Sequence, residues 1–478
     1  MSDRTRWVPT LVLLFASACG SSPPPLWQAG TRLRPRVFRA DSGAGVLVGW
    51  HDTQLDLDCT WVPDADWNYR CVAGYFPAYL DDQCTVPAAL TFGPAVPTFA
   101  VPSQPSTSPS LCVQPRPLAA QRLDVARAQS SGFLRMADGT CTSSSSSPLG
   151  SQDHRFTPLL EPVNLDTFVS GALRRDRVSA RLLQYVVVGA DGSEERLNTF
   201  DDTNLDSICR FDPDRRIDTC VPEESASVVL PAGNFADAAC TVPLAASFTT
   251  CARPPRWVQG IEQAPDRCAP LLVVPLAIGV EASDDYSTFG GSCAPATPGS
   301  AFASPAAHRY SVGAPLPSDT FARGSLGLHG TGTLRVRTID VDGTSVATAG
   351  FLRTPDDVGC EAVTVGALRR CAPNNSVLAE VDGSGIPFFN FYEDAACTRG
   401  VWRSPSPCTP PRVALVRSPT EIVGAFRVEA IPTGPRWTRV PGGACVPDAS
   451  MLPDGVVDFR VGDPIDLTSF PVLETVVE

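Results

Sequence analysis

An all-β fold, built from three tandem disulfide-stapled repeats of about 150 residues each, is the class this sequence predicts. Three observations predict it. A cysteine-bearing block occurs three times along the 478 residues. Alternating or β-branched runs are punctuated by Asp-Gly turns. Finally, 47 prolines and 37 glycines, scattered throughout, leave little room for long helices.

The block is clearest in its second copy: Cys209-Arg-Phe-Asp-Pro213, Cys220-Val-Pro222, Phe235-Ala-Asp-Ala-Ala-Cys240-Thr-Val-Pro243 and Cys251. The third copy has Cys360, Arg370-Cys371-Ala-Pro373, Tyr392-Glu-Asp-Ala-Ala-Cys397-Thr398 and Cys408. The first is looser, with Cys59, Arg70-Cys71, Tyr79-Leu-Asp-Asp-Gln-Cys84-Thr-Val-Pro87 and Cys112. A second match lies outside the cysteines. Tyr310-Ser-Val-Gly-Ala-Pro315 with Thr320-Phe321 aligns on Phe459-Arg-Val-Gly-Asp-Pro464 with Ser469-Phe470, and Phe156, Pro162 and Thr167-Phe168 are the same element. The units therefore run 27–166, 167–320 and 321–478.

Each unit has strand-like runs near its start, such as Val46-Leu-Val-Gly-Trp50, Leu183-Gln-Tyr-Val-Val-Val-Gly189 and Thr333-Leu-Arg-Val-Arg-Thr-Ile339. Asp191-Gly192 and Asp342-Gly343 read as hairpin turns. Residues 118–129 align with strand-like segments of the other units and read as strand. An aromatic precedes a cysteine three times per unit, as in Trp50 and Cys59, Tyr79 and Cys84, Phe133 and Cys141. Repeated at a mean of about 48 residues, this suggests blades closed as a β-propeller. Three β-sandwich modules are the alternative. The Pro- and Ser-rich stretches 97–110 and 143–147 read as inserted surface loops.

The amino terminus reads as an address. Arg4 and Arg6 precede a short apolar run from Trp7 to Phe15, too short to span a bilayer. Ala16-Ser17-Ala18-Cys19 resembles a bacterial lipobox, which makes 1–18 a lipoprotein signal peptide and Cys19 the acylated residue. An ordinary secretory signal cleaved near Ala18 is the alternative. Residues 19–26, with Pro23-Pro24-Pro25, form a stiff tether. Several acyl chains, at about 0.8 kcal/mol per buried methylene, anchor a protein stably. Gly20 is not the aspartate of inner-membrane retention, so the outer membrane is the expected site.

All 38 basic residues are Arg, and 51 acidic residues bring the net charge to −13, which argues against nucleic acid as a partner. Setting Cys19 aside from the 17 cysteines leaves an even number in an exported chain, the signature of a disulfide framework. Within each block the first two cysteines flank a turn, giving Cys59–Cys71, Cys209–Cys220 and Cys360–Cys371. Nearest-neighbour pairing then gives Cys84–Cys112, Cys240–Cys251, Cys397–Cys408 and Cys268–Cys293. Cys141 and Cys445 keep no local partner: they bridge units one and three, or stay as buried thiols.

Chemistry is harder to find. The four histidines are His51, His154, His308 and His329, and the second and third share a repeat position. No metal-ligand, nucleophile-elbow or phosphate-loop pattern is present, so no catalytic residue, metal or cofactor is assigned. Asp340-Val-Asp342-Gly343 lacks the later ligands of a calcium loop and reads as a turn. The acidic pairs Asp81-Asp82 and Glu393-Asp394 read as turn or strand-end residues. The tryptophans define no carbohydrate groove by spacing.

The lipobox Cys19, Arg370-Cys371-Ala-Pro373 and Asp394-Ala-Ala-Cys397-Thr398 together resemble uncharacterised cysteine-rich tandem-repeat lipoproteins of GC-rich, myxobacterial-type bacteria. The resemblance implies a surface location and no activity. The expected function is a non-enzymatic cell-envelope lipoprotein, a rigid β scaffold with a protein or glycan ligand and a membrane contact through Cys19. The alternative is an envelope hydrolase or carbohydrate-active enzyme.

Overall fold

The computed structural model describes residues 26–478 apart from short internal stretches, the longest being 146–153, 263–271, 296–307, 406–412 and 449–455. The described elements are β-strands and a few single-turn 3-10 segments. The chain is all-β.

Each unit contributes an antiparallel meander, and the three meanders join edge to edge. The first comprises Leu33–Ala40, Gly45–Asp52, Leu57–Pro63 and the start of Tyr69–Tyr79. The second comprises Ser170–Arg177, Leu182–Gly189, Glu194–Asp202, Ser207–Asp212 and Ile217–Pro222. The third comprises Ser325–His329, Leu334–Val341, Thr344–Arg353, Val358–Val365 and Leu368–Pro373. The same backbone hydrogen bond recurs at every junction. The N–H of Cys71 donates to Val169 (3.1 Å), that of Cys220 to Ala322 (2.8 Å) and that of Cys371 to Pro471 (2.9 Å). The preceding residues, Phe168, Phe321 and Phe470, are all buried.

The last strand, Val472–Val477, closes the ring. It pairs with the third meander at Arg370↔Val472 and with the first at Arg36↔Val477. The carboxy-terminal end of the chain thus supplies the opening strand of the first sheet. Apolar clusters fill the three spaces between sheets: Leu33, Trp50, Val187 and Leu197; Leu182, Phe200, Ile339 and Val346; Leu334, Val336, Ala40 and Leu473. Two buried ion pairs reinforce the first two junctions. Arg32 donates from Nε and Nη2 to Asp52 (2.7 and 2.6 Å) and from Nη2 to Thr167 O (2.8 Å). Arg181 does the same with Asp202 (2.7 Å) and the carbonyls of Asp319 and Thr320. Cross-strand register puts Arg353 where these aspartates stand.

A five-stranded barrel follows each of the first two meanders, and an open sheet with the same strand order follows the third. In the second unit Ser225–Leu230, Leu244–Ser247, His308–Pro315, Leu272–Glu281 and Trp257–Glu262 close in that order, through one parallel pair. The first unit has the same order with the end of Tyr69–Tyr79, Pro87–Phe92, His154–Val163, Ala120–Leu123 and Phe99–Pro102. In the third, four of the five pairings recur, among them the parallel one between Val377–Val381 and Val413–Arg417. These pairings are neither nine four-stranded blades nor three separate sandwiches. Two of the expected surface loops are also corrected. Phe99–Pro102, inside 97–110, is a barrel strand with Ala100 and Val101 fully buried, and Cys141–Ser145 forms a hairpin with Ser131–Arg135. Ala120–Leu123 is a strand, followed by a 3-10 turn at Val125–Arg127.

The disulfides follow this architecture. Cys59–Cys71, Cys209–Cys220 and Cys360–Cys371 each cross-link neighbouring strands of a meander. The other expected pairs are overturned. Cys84 joins Cys141, Cys240 joins Cys293 and Cys397 joins Cys445, one identical staple per unit. Cys112 joins Cys251, across units. The reason is the fold-back of a small hairpin, which brings each later cysteine to the turn holding the earlier one: Cys141 Sγ lies 3.6 Å from Asp81 O, Cys293 Sγ 3.8 Å from Asp237 O and Cys445 Sγ 3.7 Å from Asp394 O. Cys141 and Cys445 are therefore neither thiols nor partners of one another. Cys293 is not available to Cys268, which with Cys19 and Cys408 lies outside the described residues. Closing loops of about fifty rather than about eleven residues raises each contribution from roughly 3 to roughly 4 kcal/mol in the chain-entropy account.

Candidate functional site

The strands Gly45–Asp52, Glu194–Asp202 and Thr344–Arg353 converge where the three units meet. Gln184, fully buried, ties this centre together by donating from Nε2 to Val346 O (2.6 Å) and Leu197 O (3.0 Å). A short strand, Trp27–Gln28, lies across one end. It pairs as Trp27↔Glu195 and Gln28↔Glu194, and Arg196 N donates to Leu26 O (2.9 Å). Trp27 therefore divides the mouth in two. On one side is a cleft of about 510 Å³ lined by Pro35, Arg39, Glu194, Arg196 and Glu478. On the other is a pocket of about 140 Å³ that includes Gly45, His329, Thr338, Ser345 and Thr348.

The charges in the cleft are matched. Arg174 donates to both oxygens of Glu194 (2.8 and 2.9 Å) and of Asp176 (2.7 and 3.0 Å). Arg196 lies 3.3 Å from Asp176, and Arg39 pairs with Glu478. The Arg174 hydrogen bonds hold Glu194 and Asp176 below the usual carboxylate range. Neither is suited to act as a general acid near neutral pH. Glu195 points the opposite way, where burial pushes its carboxyl up and the Trp50 indole N–H donates to it at 2.6 Å. Burial likewise pushes up the Tyr69 phenol packed near it.

The pocket holds a Ser-His-Asp trio. Ser345 Oγ donates to Asp340 Oδ1 (2.6 Å), which also accepts from Thr338 Oγ1 (3.0 Å), while His329 Nε2 lies 3.1 Å from Ser345 Oγ and 3.6 Å from the same Asp340 oxygen. A serine has one hydroxyl proton. With that proton on Asp340, the contact to His329 requires Nε2 to be the donor. A nucleophilic serine needs the reverse: Nε2 accepting the Oγ proton, with the carboxylate on Nδ1. Here both ionisable groups crowd the same hydroxyl, so the trio satisfies a pocket wall rather than activating a nucleophile.

The remaining singled-out residues make local pairs, turns or core contacts. His51 pairs with Asp58 (3.1 Å), and His308 with Glu281 (3.1 Å). His154 and His308 open the same barrel strand in their units. Asp342 and Gly343 both have positive φ and make the tight turn of a hairpin. Trp50, Trp61 and Trp257 are buried. Among the described residues no cluster of His, Cys, Asp or Glu could hold a metal ion, and no helix is long and apolar enough to cross a membrane. Sequence reading missed the mouth itself: its Arg174, Asp176 and Glu194 sit in a meander that carries charged residues throughout, so the local sequence does not single them out. No family model, no curated protein and no solved structure matches this chain.

Proposed function

We propose that the protein is a non-enzymatic scaffold of the cell envelope, anchored through acyl chains on Cys19 and offering its axial mouth to a protein or glycan ligand. The observation that carries this reading is how the mouth uses its reactive groups. The Ser345 proton is committed to Asp340, and Glu194 is held ionised by Arg174. Trp27 and Pro35, set among paired Arg and Glu side chains, form an amphipathic surface suited to binding. The seven disulfides among the described residues suit an oxidising, extracytoplasmic compartment. The seven residues 20–26 reach at most about 25 Å when extended, which would keep the mouth close to the anchoring membrane.

One preparation tests both halves. Full-length protein and a Cys19→Ala variant are expressed in a Gram-negative host, fractionated, and exposed to a fluorophosphonate probe for activated serines. The wild type should follow the membranes, the variant should be soluble in the periplasm, and neither should be labelled. Membrane retention of the variant would refute the anchor. Labelling abolished by Ser345→Ala would replace the scaffold with the second reading, an envelope hydrolase.

A further inference from the structure

A further cavity lies in the second unit, between the outer wall of its barrel and the disulfide-linked hairpin Ser207–Asp212 and Ile217–Pro222. The barrel strands alternate strictly there. Ala226, Val228 and Val258 point into the barrel core, while Ser225, Ser227 and Gln259 line the cavity. Ser227 and Gln259 are direct register partners on the parallel strands, so their polar groups stand side by side. The opposite wall carries Arg210 and Glu223, paired at 2.8 Å.

An arm of unit one braces this wall from behind. Its segment after Phe99–Pro102 reaches over to unit two, where Ser110 Oγ and Leu111 N donate to Glu223 Oε2 (2.9 and 2.8 Å), Arg210 Nη2 donates to Pro109 O (3.1 Å), and Cys112 is bonded to Cys251. Both residues that latch the arm, Arg210 and Glu223, also line the cavity. The arm thus fixes them in place.

The cavity has a volume of about 460 Å³, within the range of roughly 300–1,000 Å³ that small ligands occupy. Asp212 and Glu223 disfavour an anion, Arg210 and Arg215 disfavour a cation, and the serine and glutamine floor disfavours a purely apolar guest. Hydroxyls, an amide and a guanidinium N–H, with Ile217 and Ile261 alongside, match a neutral ligand rich in hydroxyl groups.

We propose that this cavity is a binding site for a neutral sugar unit of a glycan, formed by the barrel and hairpin of unit two and braced by the arm of unit one. The site is separate from the axial mouth and does not depend on it. The test is calorimetric titration of the full chain, disulfides intact, with maltotriose, cellotriose and chitotriose. At least one should bind saturably. Gln259→Leu and Ser227→Val, both acceptable on a strand, should each weaken that binding about tenfold or more with the thermal midpoint retained. If one variant fails to fold, the other decides. Absence of binding to all three sugars, or unchanged affinity in a folded variant, would overturn the proposal.

Discussion

The aspartate three positions before the turn cysteine has the same role in every unit. Asp81 accepts from the N–H groups of Thr85 and Val86 and from the Thr85 hydroxyl; Asp237 accepts the same set from Thr241 and Val242, and Asp394 from Thr398 and Arg399. The turn holds Cys84, Cys240 and Cys397 at the same left-handed φ of 51°, a conformation unfavourable to residues with a Cβ. The carboxylate hydrogen bonds offset that strain and aim the sulfur at its partner hairpin. The threonine hydroxyl leads in lowering the carboxyls of Asp81 and Asp237. At Asp394 burial raises the carboxyl, but the N–H groups of Thr398 and Arg399, with their side chains, outweigh it and bring it to about 2. A carboxyl depressed in the folded state stabilises above its ordinary value of 3.8, and that stability disappears as pH falls through about 2. The wild-type melting temperature should therefore fall between about pH 4 and pH 2. Asp394→Asn should melt lower at pH 7 and show a shallower decline over that acid window. Equal slopes for the two proteins would contradict this role.

At the scale of elements, ring closure depends on Val472–Val477. Removing residues 472–478 leaves Leu33–Ala40 with a free edge, which invites strand pairing between molecules. The truncated protein should form oligomers in size-exclusion chromatography and lose its single sharp melt; a monomer melting like the full chain would contradict the closure. The same contrast explains what could be read in advance. The Cys59–Cys71 type of staple is local, spanning a separation of 11 or 12 with a turn between, and is legible from spacing alone. The partner of Cys84 lies 57 positions away and is decided by where a hairpin folds back, which spacing does not record. Phe99–Pro102 is four residues long, ends in proline and sits in a Ser- and Pro-rich segment, so its composition gives a loop signal although its backbone enters a barrel. Trp27, Glu194 and Glu478 meet only because the ring closes, and nothing local marks them as a site.

For the whole molecule, three homologous units divide the work unequally. The meanders share one closed ring, whose interfaces bury Trp50, Phe200 and Ile339, and each unit staples its own small hairpin. Departures from threefold equivalence coincide with two cavities: the mouth, covered by the amino-terminal strand paired to unit two, and the sugar-sized cavity whose Arg210 and Glu223 are held by an arm of unit one. That arm and its cross-unit disulfide are where the architecture and the functional reading meet. The most direct measurement is peptide mapping of the unreduced protein. The account predicts linked peptides Cys84–Cys141, Cys240–Cys293 and Cys397–Cys445, together with a peptide joining Cys112 to Cys251. Recovery of Cys84 linked to Cys112, or of Cys240 linked to Cys251, would contradict it.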